Sequence, residues 1–233
     1  MAGPGQAGMN QDSFKLFEKH EHRVGVIVCT GPSLTTEQLD KVKHLKRFGA
    51  NRTFEFDLDV IAGCNWQFWH HYWDQIKDCR CHKWATLDYE KVNHFPGLNY
   101  IQAKFMNGLS RDKSYIAHHH STGPQLLNIA YHYGCEVMLL LGWDMRYEGK
   151  VDRYTYDKRH YFGEDALTEK HWPINVAHDG TMDGFIKPVL TINPADYGIE
   201  IINCTPNSAL THFPMMDLDE ALEKYAPTSR SQI

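Results

Sequence analysis

The chain lacks the signatures of several large function classes. No apolar run approaches the roughly 20 residues that a bilayer-spanning helix needs, no Gly-x-Gly-x-x-Gly follows a strand pattern (the match at Gly3 to Gly8 lies in the N-terminal leader), and no Walker lysine loop occurs. Nicotinamide chemistry and P-loop nucleotide chemistry are therefore not expected. No charge sign dominates: 24 Lys and Arg against 29 Asp and Glu leave a net −5, with a pI near 6.3, so there is no global pull towards nucleic acid. The one basic cluster, Lys41-Val42-Lys43-His44-Leu45-Lys46-Arg47, reads as the solvated face of a helix. Cysteine is sparse, six residues at irregular spacing. The N-terminal residues carry no basic-then-apolar leader, so reduced thiols and a cytoplasmic protein are expected. Cys79-Arg80-Cys81-His82 has no second pair at zinc-finger spacing.

What is present is a polar-cornered α/β pattern. With 42% hydrophobic residues over 233 positions and a mean hydropathy of −0.51, the chain can bury one substantial core. A single domain is expected over residues 21–227, between a disordered leader at 1–20 and a disordered tail at 228–233. Its centre is the turn Ser121-Thr122-Gly123. Leu126, Leu127, Ile129, Ala130 and Tyr133 follow at helical spacing, and Gly134 is placed to end that helix. Val137-Met138-Leu139-Leu140-Leu141 then reads as a strand covered on both faces, ending at Gly142-Trp143-Asp144.

Other strand-and-corner units flank this one. Residues 24–29 form a β-branched run ending at Gly31-Pro32-Ser33, with a helical pattern over 36–48. Residues 53–62 read as the second strand, with Asn65 just beyond it, and 83–87 as a third ending at Asp88. Shorter strands are expected at 99–105 and 115–117, a helix at 185–192, a buried strand at 199–203 ending towards Asn207-Ser208, and a closing helix at 217–225. From about 146 to 186 the chain is rich in Tyr, His, Asp and Gly without a period, which predicts a lid. The fold expected is α/β and Rossmann-like: a mostly parallel sheet, helices on both faces, and a lid in the C-terminal half.

In such a sheet Gly31, Pro32, Ser33, Asn65, Asp88, Ser121, Thr122, Gly123, Asp144, Asn207 and Ser208 meet at the carboxyl edge. That edge offers hydroxyls, amides and two carboxylates, which suits a nucleotide whose phosphate rests on backbone amides at a helix start. No metal is assigned. Asp57-Leu58-Asp59 imitates an Asp-x-Asp metal motif but precedes Val60-Ile61-Ala62, at the start or middle of its strand and away from the edge. Of His118, His119 and His120 at most two can share a site, because alternate strand residues face opposite ways; His120 is placed with the substrate-binding residues.

The ordered motifs Gly31-Pro32-Ser33-Leu34, Asn65, Ser121-Thr122-Gly123, Gly142-Trp143-Asp144 and Pro206-Asn207-Ser208-Ala209-Leu210 with Phe213 resemble those of the bacterial family 42 sialyltransferases. They are also similar to the related group of flagellin glycosyltransferase-like and archaeal hydroxymethylpterin pyrophosphokinase-like domains, many of them bacteriophage-encoded. The likeness runs from about residue 24 to 213. His160-Tyr161-Phe162-Gly163 and Asp144-Met145 look closer to the phage-encoded branch. Thr30 and Asp88 depart from the amide-bearing residues usual in the sialyltransferases, which leaves the donor base and sugar open.

What the resemblance implies is a metal-independent transferase with no cofactor beyond a nucleotide-sugar co-substrate. Its acceptor would be a hydroxyl, on a glycan or on a hydroxymethylated DNA base. Ser33, Asn65, Ser121, Thr122 and Gly123 would contact the nucleotide, and Tyr147 and Tyr154 the leaving phosphate. His178 would be the general base, with His160 and His171 in the same lid as rivals and His160 also placed with the substrate-binding residues. Two alternatives stand beside this: pyrophosphoryl transfer from ATP to a pterin-like alcohol, and a non-catalytic nucleotide-binding module. Homo-oligomerisation stays open.

Overall fold

The computed structural model describes residues 15–17, 23–146, 161–162 and 181–227. The strands, in chain order, are β1 (Val24–Val28), β2 (Lys46–Ala50), β3 (Val60–Gly63), β4 (His82–Ala85), β5 (Leu98–Tyr100), β6 (Gln102–Lys104), β7 (Tyr115–Ala117), β8 (Val137–Leu141) and β9 (Glu200–Asn203). The α-helices are α1 (Thr36–Lys41), α2 (Trp66–Ile76), α3 (Tyr89–Val92), α4 (Thr122–His132), α5 (Asp183–Val189) and α6 (Leu218–Tyr225), with 3-10 turns at Asn51–Phe56 and Pro194–Tyr197.

Seven strands form one sheet in the order β5-β4-β3-β2-β1-β8-β9, and each neighbouring pair is parallel. β6 and β7 pair separately, also in parallel. The central strands show why the sheet is covered on both sides. Val24, Val26 and Val28 of β1, with Val137, Leu139 and Leu141 of β8, join one core cluster, which also takes Leu39, Phe68, Trp69, Tyr72, Ile76, Leu218 and Ala221 from α1, α2 and α6. Ile27, Met138 and Leu140 join the other, with Leu126, Leu127, Ile129 and Ala130 from α4 and Val189 from α5. Period-two alternation along the strands thus feeds two apolar layers.

Three sequence expectations change. The helix expected over 36–48 ends at Lys41, and Lys46-Arg47 open strand β2 instead of extending a solvated helix face. The strand expected over 53–62 is a 3-10 turn followed by β3. The alternating Thr53-Phe54-Glu55-Phe56 imitates a strand, but Asn51 (φ 53°) and Asp57 (φ 52°) in the left-handed region bracket it as a turn. Phe54 packs its ring on Phe68 and Tyr72. The helix expected at 185–192 starts earlier, at Asp183, inside the segment read as lid.

The strand order positions the site. Chain continuation from β1 runs outward through β2 to β5, whereas β8 returns to the other side of β1. The order therefore reverses between β1 and β8, and in open α/β sheets the crevice at the carboxyl ends of such a pair is where ligands bind.

Candidate active site at the carboxyl edge of the sheet

At the reversal, the loop after β1 meets the loop after β8. Asp144 is buried; its Oδ1 accepts the Ser33 N–H at 3.1 Å and its Oδ2 the Ser33 hydroxyl at 2.9 Å. Gly31 N–H donates to Gly142 O at 3.0 Å, closing the same junction. A Cβ on Gly31 would lie 1.8 Å from Asp144 Oδ2 and 2.5 Å from Gly142 O, so only glycine fits.

Next along the edge, α4 begins over β1, β2 and β3. A Cβ on Gly123 would lie 2.8 Å from Cys29 Sγ at the end of β1. Thr122 Oγ1 donates to Asn51 Oδ1 at 3.2 Å and accepts the Cys64 N–H at 3.2 Å. One hydroxyl thereby ties the helix start to the ends of β2 and β3. Ser121 makes no side-chain cap bond to α4, and Pro124 removes one of the first-turn donors. Behind Thr122, one turn along α4, buried Gln125 accepts from the Thr86 hydroxyl while its Nε2 has no partner among the described residues.

Asn65 is exposed just beyond β3 and makes no cap bond to α2. Asp88, also exposed, stands beyond β4 in the left-handed region. It lies close enough to act on the Cys64 thiol, whose pKa is raised mainly by burial. Burial, with the Asp144 carboxylate second, likewise raises that of Cys29. Both thiols are therefore protonated packing groups at neutral pH, not nucleophiles.

The expected corners thus form a continuous row: Asp144 with Ser33, Gly123 over Cys29, Thr122 on Asn51 and Cys64, then Asn65 and Asp88. Pro32 is buried within the first of these loops. Not every expected residue presents its polar group to the crevice. The Ser208 hydroxyl is buried, donates to Trp143 O and accepts the Leu210 N–H, so it braces the β8 loop. Asn207 is exposed with φ 54°. His119 is buried with Nε2 2.8 Å from Gly108 O, while His120 is exposed with φ 59°. Asp59 accepts the Arg47 N–H at the opposite end of β2, and among the described residues no cluster of His, Cys, Asp and Glu is placed to hold a metal ion. Tyr147, Tyr154, His160, His171 and His178 lie outside the described residues.

Asn51 is the site residue that the sequence reading missed. It ends β2 on the edge, and the signal was an Asn directly after the apolar Phe48-Gly49-Ala50. Its neighbour Arg52 pairs with Glu55 at 2.8 Å and lies over the Phe162 ring at 4.5 Å. Phe56 stacks on Phe162, and the Tyr161 N–H donates to Thr30 O at 2.8 Å. Residues 161 and 162, from the expected lid, therefore rest on the loops after β1 and β2. Arg146 and Thr181, at either end of that segment, pair as an antiparallel bridge.

No family model matches the chain, and no curated protein matches it. Among solved structures it is similar to the sialyltransferase CstII from Campylobacter jejuni in complex with a substrate analogue, cytidine-5'-monophosphate. The TM-score is 0.48 and the identity 14%, over 85% of this chain and 86% of that one. The likeness concerns the fold.

Proposed function

We propose that the protein is a glycosyltransferase that moves a sugar from a nucleotide-activated donor to a hydroxyl acceptor without a divalent metal. The observation that carries the reading is the set of polar corners along the carboxyl edge, from the Asp144–Ser33 pair at the strand-order reversal to the Thr122–Asn51 pair and Asn65 beyond β3. Hydroxyls and amides suit a ribose and base, and the uncapped first turn of α4 suits a phosphate. His178 takes the proton of the acceptor hydroxyl as that oxygen attacks the anomeric carbon, and the nucleotide leaves with the bonding electrons. Tyr147 and Tyr154 donate to the departing phosphate. The roles of these three residues rest on the motif resemblance. An imidazole with an ordinary pKa near 6.5 accepts a proton at neutral pH, and base catalysis contributes about a hundred- to ten-thousand-fold.

Thermal unfolding with CMP-, UDP-, GDP- and ADP-sugars, and with ATP plus Mg²⁺, tests this reading, because a ligand of the native state raises its melting temperature. The expected result is a shift with one nucleotide-sugar, transfer that persists in EDTA, and a His178→Ala variant that binds the donor but does not turn over. A shift with ATP alone, and turnover abolished by EDTA, overturns it in favour of pyrophosphoryl transfer.

A further inference from the structure

Most large apolar side chains here are buried, but Phe105 is 75% exposed and Met106 beside it 36%. Leaving a Phe ring in water forgoes the stabilisation that its burial would supply. Phe105 follows β6, His118 follows β7, and the two strands pair, so their ends project together. The ring of Phe105 lies 4.4 Å from that of His118 and 5.5 Å from that of His120, tilted 43° and 49°. Neither imidazole lies flat on it. The two imidazoles meet edge to face at 5.0 Å. Three aromatic rings thus gather around an open apolar face.

This cluster adjoins the crevice by chain connection. His120 is two residues before Thr122, whose hydroxyl reaches Asn51, so their α-carbons stand within about 8 Å. His118 has its pKa lowered, by burial first and by the neighbouring His120 second, which keeps its imidazole neutral and suited to stacking on a flat ring. A flat heteroaromatic ring joined to a phosphate is the ligand that would use both this cluster and the uncapped helix start beside it.

We propose that Phe105, His118 and His120 form a stacking platform for a nucleobase at the rim of the crevice. The proposal rests on the reading of the crevice as a nucleotide site. The base belongs either to the donor nucleotide or to a nucleic-acid acceptor, and stacking on an aromatic side chain serves both.

Binding of CMP, UMP, GMP, AMP, ribose 5-phosphate and a single-stranded oligodeoxynucleotide to the native chain, Phe105→Ala and Phe105→Trp tests it. The exposure of Phe105 keeps both variants folded. Expected for Phe105→Ala is a loss of at least about fivefold for a base-bearing ligand with ribose 5-phosphate unchanged. Phe105→Trp should restore binding, with its emission quenched by the ligand. A loss on mononucleotides assigns the platform to the donor base, and a loss on the oligonucleotide alone to an acceptor base. Nucleotide binding equal in native chain and Phe105→Ala overturns the platform while leaving the transferase reading intact. So does a loss that extends equally to ribose 5-phosphate. If the native chain binds no nucleotide or oligonucleotide, both readings fall.

Discussion

Asp144 holds Ser33 with both carboxylate oxygens, one on the backbone N–H and one on the hydroxyl, across 111 residues of chain. The contact joins the loops after β1 and β8 at the point where the strand order reverses, so it sets the width of the crevice there. Asp144→Ala removes two acceptors and leaves the Ser33 N–H short of a partner. Hydrogen bonds to a charged group contribute about 1.5–3 kcal/mol, so a stability loss of that size is expected, together with weakened nucleotide binding. Asp144→Asn should lose less, because its carbonyl still accepts the N–H and the Ser33 hydroxyl can accept from the amide. Urea midpoints decide the matter, and an Ala variant as stable as the native chain refutes the clasp.

Gly31→Ala tests the same junction from the other side. Its new methyl group would meet the Asp144 carboxylate and the Gly142 carbonyl, and a backbone carbonyl cannot move without displacing the end of β8. Overpacking of this kind costs about 1–3 kcal/mol. The expected phenotype is a folded protein of lower melting temperature that has lost donor binding. Gly184, where a Cβ meets nothing within 4 Å, is the control: Gly184→Ala should leave binding unchanged.

The parts of this architecture legible in sequence were those with one dominant local cause. The run at 137–141 is uniformly apolar and became β8, and Gly134 took the left-handed conformation expected at the end of α4. β2 was hidden because Lys46 and Arg47 at its start continue the charge pattern of α1, while the apolar signal is confined to Phe48, Gly49 and Ala50. Asn51 was hidden with it. The Ser33–Asp144 pair was legible as two corners but not as a contact, because nothing local links residues so far apart. Ser208 shows the converse: its motif position pointed to a ligand, whereas its hydroxyl is enclosed by Trp143 and Leu210.

Thr122 gives a separate prediction about the floor of the crevice. Thr122→Val keeps the shape but removes the hydroxyl, so the buried Cys64 N–H loses its acceptor and Asn51 Oδ1 its donor. An unsatisfied buried donor costs about 1–3 kcal/mol. Thr122→Ser retains the hydroxyl and should keep most of both stability and nucleotide affinity. Calorimetric titration of the two variants separates these outcomes, and equal affinity in both would remove Thr122 from the binding site.

The last prediction concerns acid. His132 is buried on α4, with Nε2 3.1 Å from Tyr115 O and 3.3 Å from the Asn128 amide nitrogen. Nε2 carries the proton and donates to Tyr115 O, because a carbonyl oxygen can only accept; the Asn128 amide donates to Ser110 O at 3.1 Å. Burial, the largest cause, lowers the His132 pKa from 6.5 to about 4; Lys113 adds to the effect, and Tyr115 O and Asp112 oppose it. The buried His119 shifts in the same direction, again chiefly by burial. A folded-state pKa below the unfolded value means that the unfolded chain binds the proton first. The stability from a neutral His132 is therefore complete above about pH 6.5, declines as pH falls towards 4, and is gone below that. The window corresponds to roughly 3 kcal/mol at most. His132→Gln keeps a donor for Tyr115 O but cannot titrate, so it should be less stable than the native chain at pH 8 and lose less between pH 6.5 and 4. Urea midpoints taken across that range for both proteins measure the difference, and parallel pH profiles would show that His132 does not carry it.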